Sequence, residues 1–132
     1  MKTSLLHPTS ETRVFWEGCA QGELRYLRCT DCGKVQLIPR SLCSVCHSAQ
    51  LDWMMSEGTG VVLSHTTVHR APTEAFRAKV PYVIAIVDMD EGFRLMTNVK
   101  PLIRDRIQVG SKVRIGLVEC EGTCLPHLEE IL

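Results

Sequence analysis

The sequence predicts a mainly β protein in three parts: a short N-terminal helix, a four-cysteine metal ribbon and a small closed barrel of five strands. Three observations carry this reading. Two Cys-x-x-Cys pairs, Cys29/Cys32 and Cys43/Cys46, stand ten residues apart. Gly58 and Gly60 mark a change of pattern. Beyond them, strand-length segments rich in β-branched residues recur almost to the C-terminus. The expected parts are 1–22 (helical), 23–56 (ribbon) and 57–132 (barrel).

The cysteine spacing is the strongest local signal. Each pair can place two thiolates about one ion, and two facing pairs complete a tetrahedral site. Four cysteines spaced this way by chance is the poorer alternative. Gly33, directly after Cys32, allows a positive φ where the knuckle turns. The expected metal is a structural zinc held by Cys29, Cys32, Cys43 and Cys46, although four thiolates suit iron equally in geometry. With four thiolates the coordination sphere is closed, which leaves no position for a catalytic water.

Length and charge bound the rest. A chain of 132 residues suits one ordinary domain or two very small ones. Fifteen basic residues balance fifteen acidic ones, which argues against a general nucleic-acid binder dependent on surplus cations. No apolar run approaches the roughly 20 residues that span a bilayer, and no apolar leader follows Met1. Paired cysteines in such a chain read as metal ligands in a reducing cytoplasm rather than as disulfides.

Taken in order, residues 1–12 are polar and read as a frayed terminus. Ser10 or Thr12 can cap a short helix through Val14, Phe15, Trp16 and Ala20, broken by Gly18 and Gly22. Phe15 and Trp16 are adjacent, so they cannot both face one small core. Either two surfaces clasp the helix or one ring is offered to a partner. Glu23–Arg28 reads as a strand leading into the first knuckle, and Val35–Ile38 as a strand leading out. Such a ribbon buries too little apolar surface to fold without its metal. Leu51–Met55 carries the chain out of the ribbon, with Trp53 packing across the joint.

After the glycines, Val61–His69 alternates as a strand. Pro81–Val87 is an apolar run fit for a central strand. Asp88–Gly92 turns, and Phe93–Val99 returns as its hairpin partner. Residues 101–109 suit a helical turn or a covered loop. Val113–Glu119 alternates clearly, and a short last strand runs from Leu125 to Ile131. Five strands with a gap between the third and fourth fit a closed barrel of the OB type, with a five-strand sandwich as the second architecture.

Several segments together resemble the DUF35 family. They are Phe15-Trp16-Glu17-Gly18, Leu24–Cys29, the two Cys-x-x-Cys pairs with Pro39-Arg40 between them, and Gly58-x-Gly60. His69-Arg70-Ala71-Pro72, Pro81–Asp88 with Glu91-Gly92, and Val109-Gly110-x-x-Val113 complete the set. The resemblance covers about Val14 to Leu128, and it departs from the common pattern at Ser44, where a proline often follows the third cysteine. It implies an N-terminal helix, a rubredoxin-like zinc ribbon and a C-terminal five-stranded OB-fold barrel. It also implies a non-catalytic accessory subunit that holds CoA or an acyl-CoA. Family members sit beside thiolase-like or hydratase-like enzymes, and some bridge acetyltransferase and synthase subunits.

Binding CoA requires cations for phosphates and an apolar contact for adenine. Arg70, Arg77 and Lys79 bracket Phe76 in the loop between the first two barrel strands. Tyr82 follows, and these five are the candidate coenzyme-binding residues. Against this, Lys and Arg on a loop are often merely solvated. A second basic group, Arg94, Lys100, Arg104, Arg106, Lys112 and Arg114, faces a single acid, Asp105, and is read as solvated or ligand-facing with equal weight. His65 and His69 lie about 13 Å apart along one strand and cannot share a metal. Cys19, Cys120 and Cys124 read as ordinary packed or turn thiols.

The leading functional expectation is therefore a non-enzymatic, acyl-CoA-binding scaffold for a thiolase-like or hydratase-like partner acting on a CoA thioester. Self-association is left open. A zinc-ribbon/OB-fold nucleic-acid module is the second reading. It is weakened because the barrel half holds nine Lys or Arg against ten Asp or Glu and few stacking rings. A rubredoxin-like electron carrier is the third.

Overall fold

A computed structural model describes residues 12–37, 39–70, 74–78, 80–120 and 123–132. Helix α1 spans Arg13–Ala20. Phe15, Gly18 and Cys19 are its buried residues, and this spacing of three and four defines a single inward face. The helix ends in a Schellman closure. The Glu23 N–H donates to the Gly18 carbonyl at 2.7 Å and the Gly22 N–H to the Cys19 carbonyl at 3.1 Å. Gly22 takes the required left-handed φ of 82°. The expected cap Ser10 lies outside the described residues, and Thr12 occupies the N-cap position.

The ribbon is a three-stranded antiparallel sheet in the order β2-β1-β3, where β1 is Arg25–Cys29, β2 Val35–Gln36 and β3 Leu51–Met55. Strand β3 differs from the expectation that this segment leads out of the ribbon. It pairs with β1 along all five residues, from Arg25 opposite Met55 to Cys29 opposite Leu51. The reason is physical: β2 covers only one edge of β1, and without β3 the backbone groups along the opposite edge would be unpaired.

The barrel is closed by β4 (Thr59–Val68), β5 (Tyr82–Met89), β6 (Arg94–Val99), β7 (Lys112–Cys120) and β8 (Thr123–Ile131), in the order β4-β5-β6-β8-β7. Four junctions are antiparallel. The fifth, β6 with β8, is a short parallel pairing of Asn98 with His127 and Val99 with Leu128. A short helix α2 (Glu74–Arg77) lies between β4 and β5, and a 3-10 turn (Pro101–Ile103) lies between β6 and β7. The 101–109 segment thus contains the expected helical turn. Its Ile103 and Ile107 are buried while Leu102 is exposed.

Strand β5 alternates Val83, Ala85, Val87 and Met89 into the core. Its apolar run also leaves Ile86 37 % exposed on the outer face. In β4 the alternation is interrupted: Val62 pairs with Val87 and Ser64 with Ile86, so Leu63 is the extra residue of a bulge. His69 falls beyond the end of β4.

One core runs through all three parts. Phe15 and Cys19 of α1, Leu24 and Tyr26 of the ribbon, and Val62, Val87, Phe93, Leu95, Val113 and Leu128 of the barrel belong to a single buried cluster. Trp16 and Trp53 pack against it half-buried. Tyr26 stacks on Phe93 with centroids 4.9 Å apart and planes 28° apart. Phe15 and Trp16 meet edge to face at 4.7 Å. Phe15 enters the core, whereas Trp16 stays at its margin, so the helix divides its adjacent rings between two environments.

Candidate metal centre and barrel cavity

The two knuckles bring Cys29, Cys32, Cys43 and Cys46 together so that their sulfur atoms all lie within 4.8 Å of one another. The backbone does this twice by the same device. The Gly33 N–H donates to the Cys29 carbonyl at 2.9 Å, and the His47 N–H to the Cys43 carbonyl at 3.0 Å. In each turn the donating residue, directly after the second cysteine, is left-handed: Gly33 at φ 77° and His47 at φ 63°. Cys29 and Cys43 are buried, while Cys32 and Cys46 are exposed. Backbone N–H groups of Cys46 and Val45 point at Cys43 and pull its thiol down to about 6, as suits a thiolate ligand. Four soft donors, with no oxygen ligand grouped with them among the described residues, fit a closed structural zinc site.

Of the other candidate residues, Arg70, Arg77 and Tyr82 are described, and they fall in or beside the connection between β4 and β5. Val68 pairs with Tyr82, so the loop between them starts and finishes at the same rim. Arg70 is exposed just beyond β4, Arg77 is exposed at the end of α2, and Tyr82 is half-buried at the start of β5. Phe76 lies in α2 by its backbone, but its side chain, like all of Lys79, is outside what the structure describes.

Tyr82 lines a cavity of about 390 Å³ together with Pro81, Val83, Val99, Pro101 and Val118. Lys100, Arg104, Asn98 and His127 supply its polar lining. Arg70 and Arg77 are not among its lining residues. Arg104 is held in place by donating from Nη1 to the Pro81 carbonyl at 2.8 Å. Burial holds the His127 imidazole below its usual value, opposed by Glu129 and reinforced by Lys100. Of the basic 94–114 group, Lys100 and Arg104 reach this cavity, and Arg114 instead pairs with Glu130 at 3.3 Å on the surface. Asn98 and His127 were not anticipated as site residues. They meet only because β6 and β8 pair in parallel, which no local pattern announces.

A second concavity, about 330 Å³, lies where Trp16, Leu37, Ile84, Met96, Leu125 and Pro126 converge from helix, ribbon and barrel. Met96 is 69 % exposed there. Cys19, on the inward face of α1, is sealed: burial, with Cys124 nearby, pushes its thiol up to about 11. It is a packed thiol, as its sequence context implied.

Fold and metal site together define a zinc-ribbon protein carrying an OB-fold barrel. Residues 16–52 match the family profile of the ChsH2 rubredoxin-like zinc ribbon domain, and residues 53–122 that of the ChsH2 C-terminal OB-fold domain. The chain belongs to the DUF35 family.

Among curated relatives, it is 35% identical over 109 residues to a probable enoyl-CoA hydratase alpha subunit of Thermomonospora curvata, covering 82% of this chain and 34% of the relative. It is 31% identical over 118 residues to the 3-oxo-4,17-pregnadiene-20-carboxyl-CoA hydratase alpha subunit of Mycobacterium tuberculosis, covering 88% and 37%. A DUF35 domain-containing scaffold protein of Methanothermobacter thermautotrophicus is 30% identical over 89 residues, covering 67% and 66%. The chain thus spans about a third of the length of the hydratase alpha subunits it matches. Among solved structures, a chain of the Ltp2-ChsH2(DUF35) aldolase superposes with a TM-score of 0.80 at 30% identity, covering 94% of this chain and 97% of that one. No helix among the described residues is long and apolar enough to cross a membrane.

Proposed function

We propose that this chain is a non-catalytic accessory subunit that binds an acyl-CoA and supports a thiolase-like or hydratase-like enzyme acting on the CoA thioester. The carrying observation is the near full-length likeness to a chain of an aldolase named for two components, Ltp2 and ChsH2(DUF35). Relatives named as hydratase alpha subunits and as scaffold proteins support the same reading.

In this proposal the parts are 1–22, 23–56 and 57–132. Zinc on Cys29, Cys32, Cys43 and Cys46 fixes the ribbon, and the α1 face bearing Trp16 meets the enzyme. Arg70, Phe76, Arg77, Lys79 and Tyr82 receive the coenzyme at the barrel rim, with cations toward its phosphates. The location is cytoplasmic, where CoA thioesters and reduced thiols coexist. Co-expression with thiolase-like and hydratase-like subunits encoded nearby, followed by calorimetry with acyl-CoA, tests both halves. One subunit is expected to co-elute in a stoichiometric complex and acyl-CoA to bind saturably. A chain that binds neither would end the proposal.

A further inference from the structure

The barrel cavity has a chemistry of its own, beyond the coenzyme reading. Its walls are apolar: Val83, Val99 and Val118 with two proline rings. Its size of about 390 Å³ lies within the ~300–1,000 Å³ usual for small-molecule sites. Among the described residues its ionisable lining consists of Lys100, Arg104, His127 and Tyr82, with no carboxylate. A cavity made only for packing would not gather two half-buried cations and an imidazole against valines and prolines, because each such group loses hydration there.

We propose that this cavity is a binding site for a small amphipathic anion, an apolar chain ending in a carboxylate or a phosphate. The chain lies against Val83, Val99 and Val118, and the anionic group meets Lys100 and Arg104. Arg104 is the pre-set partner, since its bond to the Pro81 carbonyl fixes the guanidinium while its other N–H groups remain to serve an oxygen. Asn98 and His127, side by side through the parallel β6–β8 pairing, offer hydrogen bonds to a polar atom elsewhere on the ligand. Below its usual protonation range, His127 is neutral at pH 7 and can both donate and accept.

Octanoate, octyl phosphate and octanol are suitable probes, read by calorimetry and by chemical shifts of the Val83, Val99 and Val118 methyl groups. One or both anions are expected to bind saturably, and the one that does names the anionic group. Octanol should bind at least tenfold more weakly. Lys100→Gln should weaken the bound anion about tenfold, equivalent to about 1.4 kcal/mol. Val118→Trp, on a partly exposed strand position, should fill the cavity and abolish binding at an unchanged melting temperature. Tyr82 lines this cavity and is also a proposed coenzyme residue. The two readings are separated by Arg70→Ala and Arg77→Ala, which lie outside the cavity lining and should leave the anion's affinity unaltered. The proposal is overturned if neither anion binds, if octanol binds as tightly, if Lys100→Gln and Val118→Trp both bind normally, or if Arg70→Ala with Arg77→Ala abolishes anion binding.

Discussion

At the scale of single residues, the two knuckles pose one backbone problem and solve it differently. Each needs a left-handed residue after its second cysteine. Gly33 meets that need at φ 77° with no heavy atom within 4 Å of where a Cβ would stand. His47 meets it at φ 63° with a side chain attached. A non-glycine residue in that region carries a penalty of roughly 1–2 kcal/mol from its Cβ. His47→Gly should therefore raise stability by up to about 1 kcal/mol, after the extra freedom glycine gives the unfolded chain is deducted. Gly33→Ala should lower it by about the same amount, for backbone reasons alone. Urea denaturation of the zinc-loaded variants reads both. Equal and negligible shifts would mean that the metal, not the backbone, dictates the turn.

At the scale of elements, the joint between ribbon and barrel is held by a residue distant in sequence. Glu91, in the turn between β5 and β6, accepts from the Ser56 hydroxyl at 2.8 Å and from the Glu57 N–H at 2.9 Å. Ser56 in turn accepts from the Gly58 N–H at 3.0 Å. The change of pattern at Glu57–Gly60 was readable because glycines punctuate a chain locally. The clamp was not, since nothing in a turn Asp-Glu-Gly says which distant linker it will grip. The same division explains the rest. Alternation revealed the barrel strands and cysteine spacing revealed the knuckles. The β1–β3 pairing, the Leu63 bulge and the meeting of Asn98 with His127 depend on which strands become neighbours. The strand opening at Tyr82 was legible from the proline before an apolar run, whereas the cavity it lines with Lys100, Arg104 and His127 was not, because those residues converge from separate elements. Glu91→Ala should cost about 1.5–3 kcal/mol, the range for hydrogen bonds to a charged group. Glu91→Gln should cost less, because it keeps one acceptor oxygen. A loss below half a kilocalorie in chemical denaturation would show the clamp to be redundant.

For the whole molecule, the question is whether ribbon and barrel can unfold separately. The zinc reading alone suggests that they can, with metal governing the ribbon and apolar burial the barrel. The packing argues otherwise. Tyr26 of the ribbon stacks on Phe93 of the barrel, and Leu24, Tyr26 and the helix residues Phe15 and Cys19 share the barrel's buried cluster. A stacked pair of this kind adds about 0.5–1.5 kcal/mol beyond the area it buries. Metal binding contributes roughly 10–16 kcal/mol in small zinc peptides, as much as the entire stability of an ordinary domain at about 5–15 kcal/mol. Stripping the metal should thus remove the ribbon and uncover one side of the barrel core in the same event. Chelation at neutral pH should produce a single transition. Fluorescence of Trp16 and Trp53, both packed at the edge of the shared core, should change together with the far-ultraviolet signal of the barrel strands, and added zinc should reverse both. Cys29→Ser and Cys43→Ser should reproduce the apo state without chelator. Hydrogen exchange decides the matter most directly: amides of Val87 and Leu95, deep in the barrel, should lose protection when zinc leaves. If they stay protected while the ribbon exchanges freely, the barrel stands alone and the shared core is a contact rather than a dependency.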